Sequence, residues 1–129
     1  IYPMIDDHNV APAGDETLDA FVWNRENNRL GWMAYLGALH GREDVSPHAA
    51  AFRAEHLAGL PPTYLPVGEL DLFVEENIEY ARRLLEAGVP LELHVYPGAY
   101  HGFDSIAPDA DVSKRFVRDR DDALARAFE

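Results

Sequence analysis

The chain has 129 residues, and its 11 Lys and Arg stand against 23 Asp and Glu, giving a net charge of -12 with histidine neutral. With 47% hydrophobic and 26% charged residues it is too apolar for disorder and too mixed for a fibre, and this length supports one core rather than two. An acidic surface without a Lys or Arg run disfavours nucleic acid and anionic lipid, no stretch nears the roughly 20 apolar residues of a membrane span, and absent cysteine excludes disulfides, thiolate metal sites and cysteine nucleophiles. No segment resembles a leader, so a cytoplasmic location is the expectation, while the redox compartment stays open.

In chain order, Ile1 to Ile5 is a continuous apolar run closed by Asp6, Asp7, His8 and Asn9, which suits a buried strand ending in a polar loop. An opening on Ile1 inside such a run carries the expectation that further polypeptide precedes it. Thr17 to Arg25 and Arg29 to Leu39 hold apolar residues at helical spacing and read as two short helices. His40 to His48 and Leu57 to Pro62 are turn-rich connections. Thr63 to Gly68 reads as a strand, although Pro66 lacks the N–H that a central ladder needs. Phe73 to Ala87 is the clearest helix: Val74, Ile78, Ala81 and Leu85 share a face, Glu79 stands four residues before Arg83, and Gly88 with Pro90 stops it. Leu91 to Tyr96 alternates as a strand does, and Asp109 to Phe128 again has helical spacing through Val112, Phe116, Ala123 and Ala127.

Strands alternating with helices imply an α/β fold, a mostly parallel sheet with flanking helices. In such a sheet the functional loops lie beyond the carboxyl ends of the strands. Glu69-Leu70-Asp71 follows one strand, and Pro97 to Phe103, with His101 and Gly102, follows its successor. Neighbouring strands are about 5 Å apart, so a carboxylate and an imidazole on these two ends can meet. The carboxylate then accepts the Nδ1 proton and leaves Nε2 to take a proton from a hydroxyl nucleophile. Singly, an Asp near a helix start is commonly an N-cap and a His beside Gly commonly a loop residue; their joint placement favours chemistry.

The segments Gly59-Leu60-Pro61-Pro62-Thr63-Tyr64, Val67-Gly68-Glu69-Leu70-Asp71, Glu86-Ala87-Gly88-Val89-Pro90, Tyr96-Pro97-Gly98 and His101-Gly102-Phe103, in this order, resemble the carboxyl-terminal part of the hormone-sensitive-lipase-like group of α/β-hydrolases. Ile1-Tyr2-Pro3-Met4 with Asp6 resembles the strand after the nucleophile region in that group, and Ser46-Pro47 its loop before the next strand. The resemblance implies that Asp71 and His101 are the acid and base of a triad in Ser, Asp, His chain order. It also implies a serine carboxylesterase or lipase acting on small-molecule esters, with no cofactor and no metal. Two elements of the pattern are missing: no G-x-S-x-G surrounds Ser46, Ser105 or Ser113, and no HGGG-type oxyanion loop occurs, since His40-Gly41 is followed by Arg42 and Glu43. The expectation is therefore that residues 1–129 form part of an α/β-hydrolase domain whose nucleophile-bearing part lies upstream. Such a part would associate with the upstream polypeptide or with itself.

Other candidates have simpler readings. Ser46 lacks a strained strand-to-helix turn and reads as a loop serine. Glu69, Asp71, Glu75 and Glu76 suit the first turn of a helix, where the dipole favours carboxylates without an ion. Asp6, Asp7 and His8 read as a loop cap, since adjacent residues rarely converge on one metal. Trp23 and Trp32 read as packing, with pocket lining the minor alternative. A ligand-binding module on the same architecture, and a peptidase or amidase of the same superfamily, remain open beside the esterase.

Overall fold

The structure is a computed structural model and describes residues 1–9 and 22–129. Helix α1 spans Arg25–Leu36 and runs into a single 3-10 turn at Gly37–Leu39; a second such turn lies at Ala51–Arg53. Strand β1 (Thr63–Gly68), helix α2 (Val74–Glu86), strand β2 (Leu91–Tyr96), the four-residue α3 (Phe103–Ile106) and α4 (Asp111–Arg126) complete the order. β1 and β2 pair in parallel, from Thr63 opposite Leu91 to Gly68 opposite Tyr96. Strand, helix and parallel strand in succession is the α/β arrangement expected from the sequence.

The amino-terminal half departs from the expected elements. Of the helix expected over Thr17 to Arg25, residues 17–21 lie outside the described residues, and no break separates Arg25 from Arg29. Asn24 sets the start of α1, because its extended backbone lets its side-chain oxygen accept from the Asn27 N–H at 2.9 Å. Gly37, at φ +54°, ends it. Ile1 to Ile5 is not a strand. Its link to β1 is one bond, from the Tyr2 N–H to the Pro66 carbonyl at 2.7 Å. Tyr2 turns the chain at φ +30°, and Pro3 brings no donor to extend a ladder. The same bond explains how β1 tolerates Pro66: its carbonyl faces the amino-terminal segment, so its absent N–H removes nothing from the pairing with β2.

On α2 the buried face runs through Asn77, Ala81 and Leu84, whereas Ile78 and Leu85 are exposed. Phe73, just before the helix, begins the buried row and rotates the face by about one residue from the expected one. Arg83 accordingly turns inward, donating to the Phe52 and Ala54 carbonyls and lying over the Phe52 ring, and Glu79 pairs with Arg82 instead. Three apolar clusters hold the elements: Trp32, Leu36, Val45 and Ala50 under α1; Leu57, Leu84 and Val89 behind α2; and Tyr96, Ala99, Phe103 and Phe116 where α4 meets β2. The packing reading of Trp32 holds. No helix among the described residues is long and apolar enough to cross a membrane.

Candidate active site

The two strand ends are fastened to each other before any functional side chain is considered. Beyond β1 the Glu69 N–H donates to the Tyr96 carbonyl and the Leu70 N–H to the Ala99 carbonyl, each at 2.9 Å. Glu69 also accepts from the Gly98 N–H at 2.8 Å. Gly68 permits this approach: a Cβ there would sit 2.8 Å from the Ala99 carbonyl carbon, so any side chain would push the two loops apart. Glu69, grouped with the dipole carboxylates above, is a tie between loops.

Asp71 stands at the turn into α2, its side chain fully buried. One carboxylate oxygen accepts from the Phe73 N–H at 3.0 Å, which fixes the carboxylate plane and caps the turn. The other lies 2.9 Å from His101 Nδ1. A carboxylate only accepts, so this bond puts the ring proton on Nδ1 and leaves the Nε2 lone pair free. Gly102 follows at φ +72°, a left-handed conformation that turns the chain into α3 and leaves the His101 side chain 21% exposed. The structure thus brings together Asp71 and His101, the two site residues expected from the sequence, in an arrangement able to accept and return a proton at Nε2, which bonds no described residue.

Among the described residues, three aromatic rings surround the imidazole. Tyr2 and Phe73 meet it nearly perpendicularly, with centroids at 4.9 and 5.4 Å, and Trp23 lies tilted at 6.0 Å. Trp23 therefore flanks His101, and its ring also rests on the bare Cα of Gly31, within 3.4 Å of where a Cβ would stand. Tyr2 donates its hydroxyl to Asp104 at 2.9 Å. Burial, then that carboxylate, pushes its phenol up to about 12, so it remains a donor. Sequence periodicity could not show these rings, because Tyr2 and Trp23 act from segments outside the regular elements.

Glu76 lies in the first turn of α2 as expected, but it is 5% exposed, and it accepts from the Ile5 N–H at 2.7 Å, the Asp6 N–H at 3.3 Å and Asn9 Nδ2 at 2.5 Å. Burial pushes its carboxyl up to about 7 against the opposite pull of these bonds. Asn9 Nδ2 reaches the Leu72 carbonyl as well, and buried Asn28 donates to the Asn9 carbonyl, so the amino-terminal segment is tied to both α1 and the turn bearing Asp71. The signal available in sequence was spacing: Glu76 and Asn77 follow Phe73 by three and four residues, on the side of the helix that packs inward.

The ligand atoms of Asp6, Asp7 and His8 lie within 4.8 Å of one another, but Arg53 supplies the positive charge there. It forks onto Asp7 with two bonds of 2.7 Å and comes within 2.9 Å of His8 Nε2, and it holds the Asp7 carboxyl below its usual range. Ser46 is exposed and accepts from the His48 N–H at 3.2 Å, the behaviour of a turn serine.

A family model described as the alpha/beta hydrolase fold matches residues 1–105. Esterase LipI of Mycobacterium tuberculosis is 38% identical over 69 residues, which are 54% of this chain and 21% of that protein. Among solved structures, esterase LipW from Mycobacterium marinum matches with a TM-score of 0.84 and 39% identity over 98% of this chain and 39% of its own. An esterase from the bacterial hormone-sensitive lipase family matches with a TM-score of 0.73 and 27% identity over 91% of this chain and 38% of its own. The chain thus spans about two fifths of these solved structures and about a fifth of LipI. Its strand ends, its parallel pairing and these likenesses make the chain a member of the α/β-hydrolase family, in the hormone-sensitive-lipase-like group.

Proposed function

We propose that the complete protein containing this chain is a serine carboxylesterase acting on small-molecule esters, and that Asp71 and His101 are its triad acid and base. The 2.9 Å bond between the buried Asp71 carboxylate and His101 Nδ1 is the observation that carries this reading; the esterase names of the relatives support it. A serine from outside this chain transfers its hydroxyl proton to His101 Nε2 as its oxygen attacks the ester carbonyl. Asp71 stabilises the imidazolium so formed and keeps the ring oriented. His101 then protonates the departing alkoxide, takes a proton from water for the second attack, and returns it to the serine when the acid leaves. In this reading residues 1–129 form part of the domain, and their partner is the serine-bearing polypeptide or a second copy of the chain.

The test measures hydrolysis of a short-chain nitrophenyl ester and the matching anilide by the complete protein. Ester turnover that falls by roughly 10³-fold or more in His101→Ala and in Asp71→Asn is the expected result. Ester turnover untouched by His101→Ala removes the reading. A preference for the anilide would make the protein an amidase.

A further inference from the structure

We propose that Tyr2 and Asp104 form a latch that positions the imidazole of His101, a role that rests on the reading of His101 as the general base. Three observations converge. The Tyr2 ring meets the His101 ring edge-on at 4.9 Å, reaching it from the amino-terminal segment. Its hydroxyl donates to Asp104, 102 residues away in sequence but only three beyond His101, so ring and hydroxyl both meet the segment that runs from the base into α3. Finally, Tyr2 has φ +30°, a conformation that a bulky residue rarely adopts and that persists where surrounding contacts over-determine it.

The backbone of the segment is held by the Tyr2 N–H on the Pro66 carbonyl, by Asn77 Nδ2 on the Pro3 carbonyl and by the Phe52 N–H on the Ile5 carbonyl, but none of these bonds orients the Tyr2 ring. Stacking on Phe116 at 6.2 Å limits the ring's tilt, and the hydroxyl bond limits its rotation and its distance from His101. Phe73 needs no such help, because it is buried and its N–H is held by Asp71 itself. Removing the Tyr2 hydroxyl bond therefore frees one wall of the imidazole cage while leaving Asp71 in place. The ring then samples orientations in which Nε2 points away from the serine. Small displacements of this kind act on the chemical step more than on binding, since the substrate still meets its pocket.

The experiment compares Tyr2→Phe, Asp104→Ala, their double variant and Asp104→Asn in the complete protein. Thermal midpoints and circular dichroism spectra identify variants that keep the fold. Tyr2→Phe and Asp104→Ala should each lower kcat roughly tenfold with KM within about twofold, as loss of a partner that orients a functional imidazole does. The double variant should be no worse than either single one, because both remove one bond. Asp104→Asn keeps an accepting oxygen and should stay within about threefold of wild type. A proton NMR spectrum gives a readout independent of turnover: the downfield resonance of the His101 Nδ1 proton, assigned by its loss in His101→Ala, should broaden or move upfield in Tyr2→Phe and persist in Asp104→Asn. Wild-type hydrolysis abolished by His101→Ala, together with a Tyr2→Phe variant unchanged in kcat and in that resonance, overturns the latch alone. Asp104→Asn as impaired as Asp104→Ala overturns it too, by assigning the effect to charge beside the imidazolium. If hydrolysis does not depend on His101, the triad reading fails, and the resonance still decides whether Tyr2 orders the ring.

Discussion

A buried carboxylate with three donors can stabilise or destabilise the chain according to how much burial costs it, and Glu76 shows how the balance falls. Three donors favour its charged form, yet burial outweighs them and lifts its carboxyl from 4.5 to about 7. Between these two values the folded chain holds a proton that the unfolded chain has released. The stabilisation linked to that proton is complete below about pH 4.5 and is lost as the pH rises through 7. Glu76→Gln cannot titrate, so the wild type should lose stability relative to the variant across this window, by on the order of 3 kcal/mol at most. Urea unfolding of both proteins over a pH series is the measurement; stability curves that stay parallel from about pH 4.5 to about pH 8 would refute the assignment of the shift to this group. The bond to Asn9 is the weak point of the variant, since one amide orientation sets donor against donor, and that loss appears as a pH-independent offset rather than a slope.

At the scale of elements, short local signals decide where each segment begins, and α1 depends on one of them. Asn24 satisfies the Asn27 N–H that the first turn cannot pair internally, and α1 carries both Trp32 in the core and Asn28 in the buried network. Asn24→Ala should cost about 1 kcal/mol in chemical unfolding, whereas Asn24→Ser or Asn24→Asp should cost little. Equal losses in all three would mean that the side chain does something other than cap. The same element shows what was legible in the sequence. β1, β2, α2 and α4 could be read from alternation, periodicity and stop signals because each is held mainly by its own pattern. The two functional loops followed from them, since a parallel pair of strands places their carboxyl ends side by side. The amino-terminal segment resisted the same logic: an apolar run suits a strand, but one residue at φ +30° beside a proline ends the ladder after one bond. The boundary at Asn24 was hidden because the apolar Phe21, Val22 and Trp23 before it read as helical spacing, and the α2 face was misjudged because its buried row includes Asn77 and the acidic Glu76, which hydropathy assigns to solvent.

On the scale of the whole molecule, a two-stranded parallel sheet is an incomplete solution to burial. Parallel sheets are normally covered on both faces, because helices cross over each strand pair. Here Leu93 and Val95 on β2 stand exposed, as do Ile78 and Leu85 on α2 and Leu30, Met33 and Tyr35 on α1. Among the described residues β2 pairs with β1 alone, which leaves a strand edge with free donors and acceptors. Opposing this is the net charge of -12, which keeps like chains apart over about a Debye length, roughly 10 Å at 0.1 M salt. Apolar contact acts at short range and is strengthened rather than screened by sulfate, so the balance between the two should tip with salt. The isolated 129-residue chain should therefore scatter light as a species larger than 14.5 kDa, and its mass should rise when sodium chloride screens the charge and rise further in sodium sulfate at equal ionic strength. Co-expression with a serine-bearing segment that covers these faces should lower the self-association. A 14.5 kDa monomer in every salt, unfolding in one cooperative transition, would show that the three apolar clusters suffice without further cover, and the proposal of a partner for this chain would lose its physical basis.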